Sequence, residues 1–220
     1  AWLIARHNDV QSILRDDTRF SAQRTGGWVM NGAAHARSEL IGFQRLFARA
    51  MLFLDAPDHS RLRAVMNAGF GPALIMRLRP LAQQWLTARL NTLDAGKGFD
   101  FITEIARPLP AHLIAIAMGI DEREQENFIA WSDALAQFIS APAPSLEQTQ
   151  AAQTSLLAMT RSFIPLLAAK RTQPDASLTS TLVRASAQGH IQAGPELLAQ
   201  CAMLLFAGHE TTRHFLGNAL

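Results

Sequence analysis

The sequence predicts a mainly α-helical protein with a small β element near its N-terminus. Three observations carry that expectation. Apolar residues recur at helical spacing over long stretches, as in Leu74, Leu78, Leu81, Trp85 and Leu90. The pairs Gly71-Pro72 and Gly194-Pro195 have the form of helix starts, and Gly119 and Gly189 the form of helix stops. Hydrophobic residues make up 49% of the 220, enough for one sizeable core and too many for a disordered chain.

In chain order, Trp2-Leu3-Ile4-Ala5 reads as a short strand ahead of a helix whose apolar positions Val10, Ile13 and Leu14 share a face. From Ala22 to Ala50 the periodicity weakens around Gly26-Gly27 and Asn31-Gly32, which marks a loop-rich stretch. Trp28, Met30 and Phe43 within it are candidates for lining a pocket, against the plainer expectation of packing beneath a long loop. Asp55-Ala56-Pro57-Asp58 is a helix start with Asp55 as its cap. The helix opened by Gly71-Pro72 contains Pro80, which predicts a kink or restart, and ends at Gly96 and Gly98.

Residues 99–120 are helical around Pro108 and Pro110, with His112 as a core histidine. Asp121 and Glu124 form an acidic capping box for a helix to about Ile139, whose stripe is Phe128, Trp131, Leu135 and Phe138. A hinge-like loop of alternating alanine and proline at 141–144 leads to a helix running to about Arg171, with Pro165 inside it. Leu178 to Ala187 is a short helix, and Gly194-Pro195-Glu196 starts the last one.

The charge and cysteine content bound the function. The net charge is +2 and the basic residues are scattered, so neither a nucleic-acid stripe nor a polybasic membrane patch is present. The longest apolar runs fall far short of a bilayer span. A single cysteine excludes an internal disulfide framework and fits a reducing, cytoplasmic setting.

Chemistry concentrates at Leu204 to Thr212, LLFAGHETT, where an apolar helix presents an acid and two hydroxyls without any loop signal. Gly208 costs about 1 kcal/mol relative to alanine inside a helix, so it predicts a bend or the close approach of something flat to the backbone. The Thr211 hydroxyl is placed to return to a carbonyl one turn back. Upstream, His59 and Arg63 stand four residues apart on one helix face, a spacing that suits two donors gripping a carboxylate. His209-Glu210 begins like a zinc-hydrolase motif, but that motif needs its second histidine four residues on. Position 213 is arginine, and His214 lies about 140° around the helix from His209, so the two do not share one ion.

AGHETT resembles the oxygen-binding stretch of the central helix of cytochrome P450 haem-thiolate monooxygenases, particularly the soluble bacterial ones. Asp55 to Phe70, DAPDHSRLRAVMNAGF, is similar to the helix whose His and Arg hold a haem propionate in that family, and Gly189 to Cys201 to the lead-in of its central helix. The resemblance implies the distal part of the cytochrome P450 fold as a single domain over 1–220. On this match His59 and Arg63 bind haem propionate, Ala207 and Gly208 border the oxygen site, Glu210 is the acid, and Thr211 the hydroxyl. Arg61 is expected to point elsewhere, as a surface or salt-bridge residue. Trp28, Met30, Phe43 and Phe128 become candidates for substrate contact.

The implied activity is activation of dioxygen at haem to hydroxylate a small organic substrate, with electrons from a ferredoxin or similar carrier. The chain opens at Ala1 without a methionine and closes inside a helical pattern, and is expected to be incomplete at both ends, with the axial cysteine downstream. Cys201, on the central helix, is expected to be a small buried hydrophobe. The alternative is a truncated, catalytically inactive helical remnant, inert or serving as a binding module.

Overall fold

In a computed structural model of the chain, residues 2–23, 37–94, 96–141 and 143–220 are described, those of 37–41 without their side chains. The helices are α1 (His7–Arg15), α2 (Arg37–Phe47), α3 (Asp58–Gly69), α4 (Pro72–Thr92), α5 (Pro108–Met118), α6 (Gln125–Ser140), α7 (Leu146–Thr172), α8 (Leu178–Ala187) and α9 (Pro195–Asn218). Short 3-10 turns at Met51–Phe53 and Glu122–Glu124 and a π-helical turn at Ile102–Ala106 complete them.

The expected β element is absent among the described residues. Trp2 and Leu3 are 95% and 94% exposed, and no backbone hydrogen bond joins 2–5 to another described segment. A strand needs a neighbour to take its N–H and C=O groups, and this apolar tetrapeptide has none beside it.

Local chemistry sets most helix ends. Pro72, Pro108 and Pro195 occupy first-turn positions, where a missing N–H costs nothing. Gly119 closes α5 with φ +71°, a conformation that suits glycine. Ser145 and Gln148 cap α7 reciprocally, and Ser177 caps α8. Asp55 departs from its expected role: its carboxylate accepts from the Ser21 hydroxyl (2.5 Å) and the Ala22 amide (2.8 Å), tying the segment after α1 to the entry of α3 instead of capping that helix.

Helix α9 is the axis of the core. It packs against α2, α5, α6, α7, α8 and the π-helical turn, and buries Leu197, Cys201, Ala202, Leu205 and Phe206. Gly208 lets α9 approach α5 closely, since a Cβ there would stand 2.8 and 2.9 Å from Ile114 Cγ1 and Cδ1. The glycine therefore answers to helix packing. Buried Gln200 is satisfied across the core: its Nε2 donates to the Arg49 carbonyl (2.6 Å), and its Oε1 accepts from the Met51 amide (3.0 Å). Within the same core an aromatic cluster joins α2 to α6, with Phe43 against Phe47 and Phe138 at ring separations of 5.3 and 5.4 Å. Among the described residues, no helix is long and apolar enough to cross a membrane.

Candidate functional site

Helix α3 presents His59 and Arg63 from one face while Leu62 is fully buried on another. Helix α9 presents Gln200, Met203, Leu204 and Ala207, the i, i+3, i+4, i+7 pattern of a single helix face. These two faces, with the end of α1 and the Met51–Phe53 turn, wall an open cleft of about 670 Å³, a volume suited to a sizeable organic ligand. Its walls are largely apolar, with Met66, Leu54, Leu14 and Phe20 among them.

The polar groups of the cleft differ in how they are engaged. Asp55 is held below the usual carboxylate range, first by the Ser21 hydroxyl and then by the Ala22 amide. Asp16 is bonded to Arg19. By contrast, neither the His59 ring nor the Arg63 guanidinium forms a hydrogen bond or ion pair with a described residue, although the His59 charge also acts on Asp55, and Arg63 is exposed. Two donors one turn apart are thus left facing a cleft large enough for a ligand, and their chemistry suits carboxylates. Arg61, two residues from each, turns away and pairs with Asp58 and Glu196, each at 2.8 Å.

At the other expected centre the residues separate. Ala207 is exposed on the cleft, and the Thr211 hydroxyl donates to the Ala207 carbonyl at 2.8 Å, the back-bond expected of it. Thr211 itself is exposed one turn beyond Ala207. Glu210 is 8% exposed and borders a neighbouring hollow of about 540 Å³ between α6 and α9. Its Oε1 accepts from Arg213 (2.6 Å) and lies 3.1 Å from His214 Nε2, while its Oε2 is buried without a partner among the described residues. Arg213 also reaches Asp133 of α6 at 2.7 Å, and Asp133 in turn accepts from Arg107 at 2.8 Å. The acid is therefore one end of a charge chain between α6 and α9.

His209 and Cys201 face inward. Burial, then the charge of Arg213, pushes the His209 imidazole down to about 4, opposed by Asp133 and by the Arg107 main chain, which stands outside hydrogen-bonding geometry. Burial pushes the Cys201 thiol up to about 12, so it is held as a neutral thiol.

The substrate candidates fall elsewhere. Phe43 is 0% exposed in the aromatic core, and Phe128 is 4% exposed against Trp131 and Phe163, so both act as packing residues here. Trp28 and Met30 lie outside the described residues. Sequence reasoning missed Gln200, Met203 and Met66 as cleft residues, Arg213 as the partner of Glu210, and Asp133 as the second carboxylate on that arginine. The helical stripe through Gln200 and Ala207 was the signal for the first group; the second depends on a contact between helices far apart in sequence.

No protein-family model matches the chain. Cytochrome P450 107B1 of Saccharopolyspora erythraea is 32% identical over 222 residues, covering 100% of this chain and 52% of that protein. Erythromycin C-12 hydroxylase of the same organism is 32% identical over 219 residues, covering 99% of this chain and 51% of its own length. The crystal structure of CalO2 has the same fold, with a TM-score of 0.85 at 24% identity, over 100% of this chain and 53% of that one. The chain spans about half the length of the curated relatives it matches. Alike to these relatives from end to end, the chain is similar throughout to bacterial cytochromes P450 and corresponds to about half of one.

Proposed function

We propose that this chain forms the oxygen-binding side of a haem-thiolate monooxygenase, one that activates dioxygen to hydroxylate a small organic substrate with electrons from a ferredoxin-type carrier. The observation that supports this reading is the pair His59 and Arg63, unpaired among the described residues, facing the same cleft of about 670 Å³ as Ala207. These donors fit the propionates of haem, and the apolar faces of Met66, Met203, Leu204 and Ala207 fit its macrocycle. Bound there, haem would supply the iron chemistry that activates dioxygen.

The chain's own residues then have distinct tasks. His59 and Arg63 anchor and orient the cofactor through charge-assisted hydrogen bonds. Leu204 and Ala207 keep the wall above it apolar and exclude water. The Thr211 hydroxyl, now donating to the Ala207 carbonyl, holds a proton one turn from that wall. Glu210 keeps Oε1 in its ion pair with Arg213, and its buried Oε2 has no partner among the described residues.

A second reading rests on Cys201. It is the one cysteine of the 220 residues, fully buried in α9 and held as a neutral thiol. On this reading the chain supplies no axial thiolate and is a truncated, catalytically inactive helical remnant. The carbonyl difference spectrum of the chain reconstituted with haemin and reduced separates the two. The thiolate-type red-shifted band in the isolated 220 residues would refute the second reading. Its appearance in a longer polypeptide carrying a downstream cysteine, and its loss on replacing that cysteine, would support the first.

A further inference from the structure

Most polar side chains that α9 buries are engaged. Gln200 bonds to the Arg49 carbonyl and the Met51 amide, and Glu196 to Arg61 and the Gln192 amide. His209 is the exception: it is 1% exposed, and neither ring nitrogen has a partner in hydrogen-bonding geometry among the described residues, although the Arg107 main chain also acts on the ring. A buried polar group left this way carries its full desolvation penalty, so such a group calls for a partner.

The space for one is beside it. A small cavity adjoins His209, walled by Ile114 and Ala115 of α5, by Gln125, Phe128 and Ser132 of α6, and by the ring itself. The centre of a water-sized sphere has about 10 Å³ in which to sit, enough to hold a water. A buried water needs two to four polar partners. The His209 ring and the Ser132 hydroxyl border the cavity, and so does the Gln125 amide, whose Oε1 lies 3.2 Å from His112 Nδ1, leaving its Nε2 to donate. The remaining walls are apolar, which disfavours an ion.

We infer that this cavity is a binding site for a single ordered water molecule, held by the His209 imidazole and the Ser132 hydroxyl, which joins α9 to α6. A neutral imidazole offers one donor and one acceptor, and a water can meet either. The persistence of the neutral ring under burial agrees with this. Nothing in the inference depends on haem, so it stands or falls apart from the proposed function.

The test is water-to-protein cross-relaxation by NMR on the 220-residue chain with labelled histidine. The expected result is a cross-peak between a long-lived water and the His209 ring protons, with one ring nitrogen shifted as a hydrogen-bonded neutral imidazole. Ser132→Val, which puts a methyl group in place of the hydroxyl and fills the space, should abolish the cross-peak and return that nitrogen towards its unbonded shift. No long-lived water at His209 in the parent chain would overturn the inference, whatever the variant does. So would a cross-peak that survives unchanged in folded Ser132→Val.

Discussion

Arg61 and Glu196 form a two-pronged ion pair between α3 and the first turn of α9, with Nη2 to Oε1 at 2.8 Å and Nη1 to Oε2 at 3.1 Å. The same guanidinium donates to the His190 carbonyl at 2.7 Å, and Glu196 Oε2 accepts from the Gln192 amide at 2.5 Å. The helix that carries His59 and Arg63 is thereby fixed to the helix that carries Ala207 and Thr211. Glu196 is 6% exposed, so removing its carboxylate strands a partly buried charge and a backbone amide. Glu196→Ala is expected to cost about 2–3 kcal/mol, measured as a fall in the urea midpoint. An unchanged midpoint would show that the pair is solvated and adds nothing.

Gly208→Ala tests the contact between α9 and α5. On helix propensity alone it would stabilise by about 1 kcal/mol. The new Cβ would meet Ile114 at 2.8 and 2.9 Å, and Ile114 is only 6% exposed, so overpacking outweighs that gain and a net loss of about 1 kcal/mol is expected. Ile114→Ala in the same chain should relieve part of the cost, giving a coupling of at least ~0.5 kcal/mol in a double-mutant cycle. Strict additivity would place the two side chains apart.

These two relationships mark what the sequence reveals and what it conceals. Helix ends were legible because they are set within a few residues: proline in a first turn at 72 and 195, a left-handed glycine at 119. The pairing of His59 with Arg63 was legible from helical spacing, as was the back-bond of Thr211. The reason for Gly208 was not, because a helical glycine looks the same whether a ligand or Ile114 approaches it. Asp55 reads as a cap from its neighbours, yet its partners are Ser21 and Ala22, more than thirty residues earlier. Phe43 and Phe128 illustrate the same limit: helical spacing identifies an apolar face, while the partner it meets depends on tertiary packing. The acid of AGHETT was legible as unusual, but its engagement by Arg213 and, through it, Asp133 arises only when α6 lies against α9.

His209 gives the stability a pH dependence with a definite sign. Its folded-state value, about 4, lies below the ordinary 6.5, so the unfolded chain binds a proton across that interval and the folded chain does not. Stability therefore falls as pH drops from about 6.5 towards 4, by up to about 3 kcal/mol at 1.36 kcal/mol per unit. Asp121, held low by Arg123, contributes a loss only further down, below its ordinary 3.8. His209→Leu should flatten the upper interval in urea titrations at stepped pH. Parallel curves for parent and variant between those values would contradict the assignment.

The central claim is that the two free donors of α3 grip the acidic edge of haem in the cleft beneath α9. Haemin titration of the 220-residue chain, followed by the shift in Soret absorbance, tests it most directly. The parent should bind, and His59→Ala and Arg63→Ala should each weaken binding about tenfold, the effect of one lost charge-assisted hydrogen bond. Thr149→Ala, at a buried site in α7 far along the chain from the cleft residues, serves as the control and should leave the affinity unchanged. Equal affinity in the parent and the His59→Ala, Arg63→Ala double variant would contradict the claim.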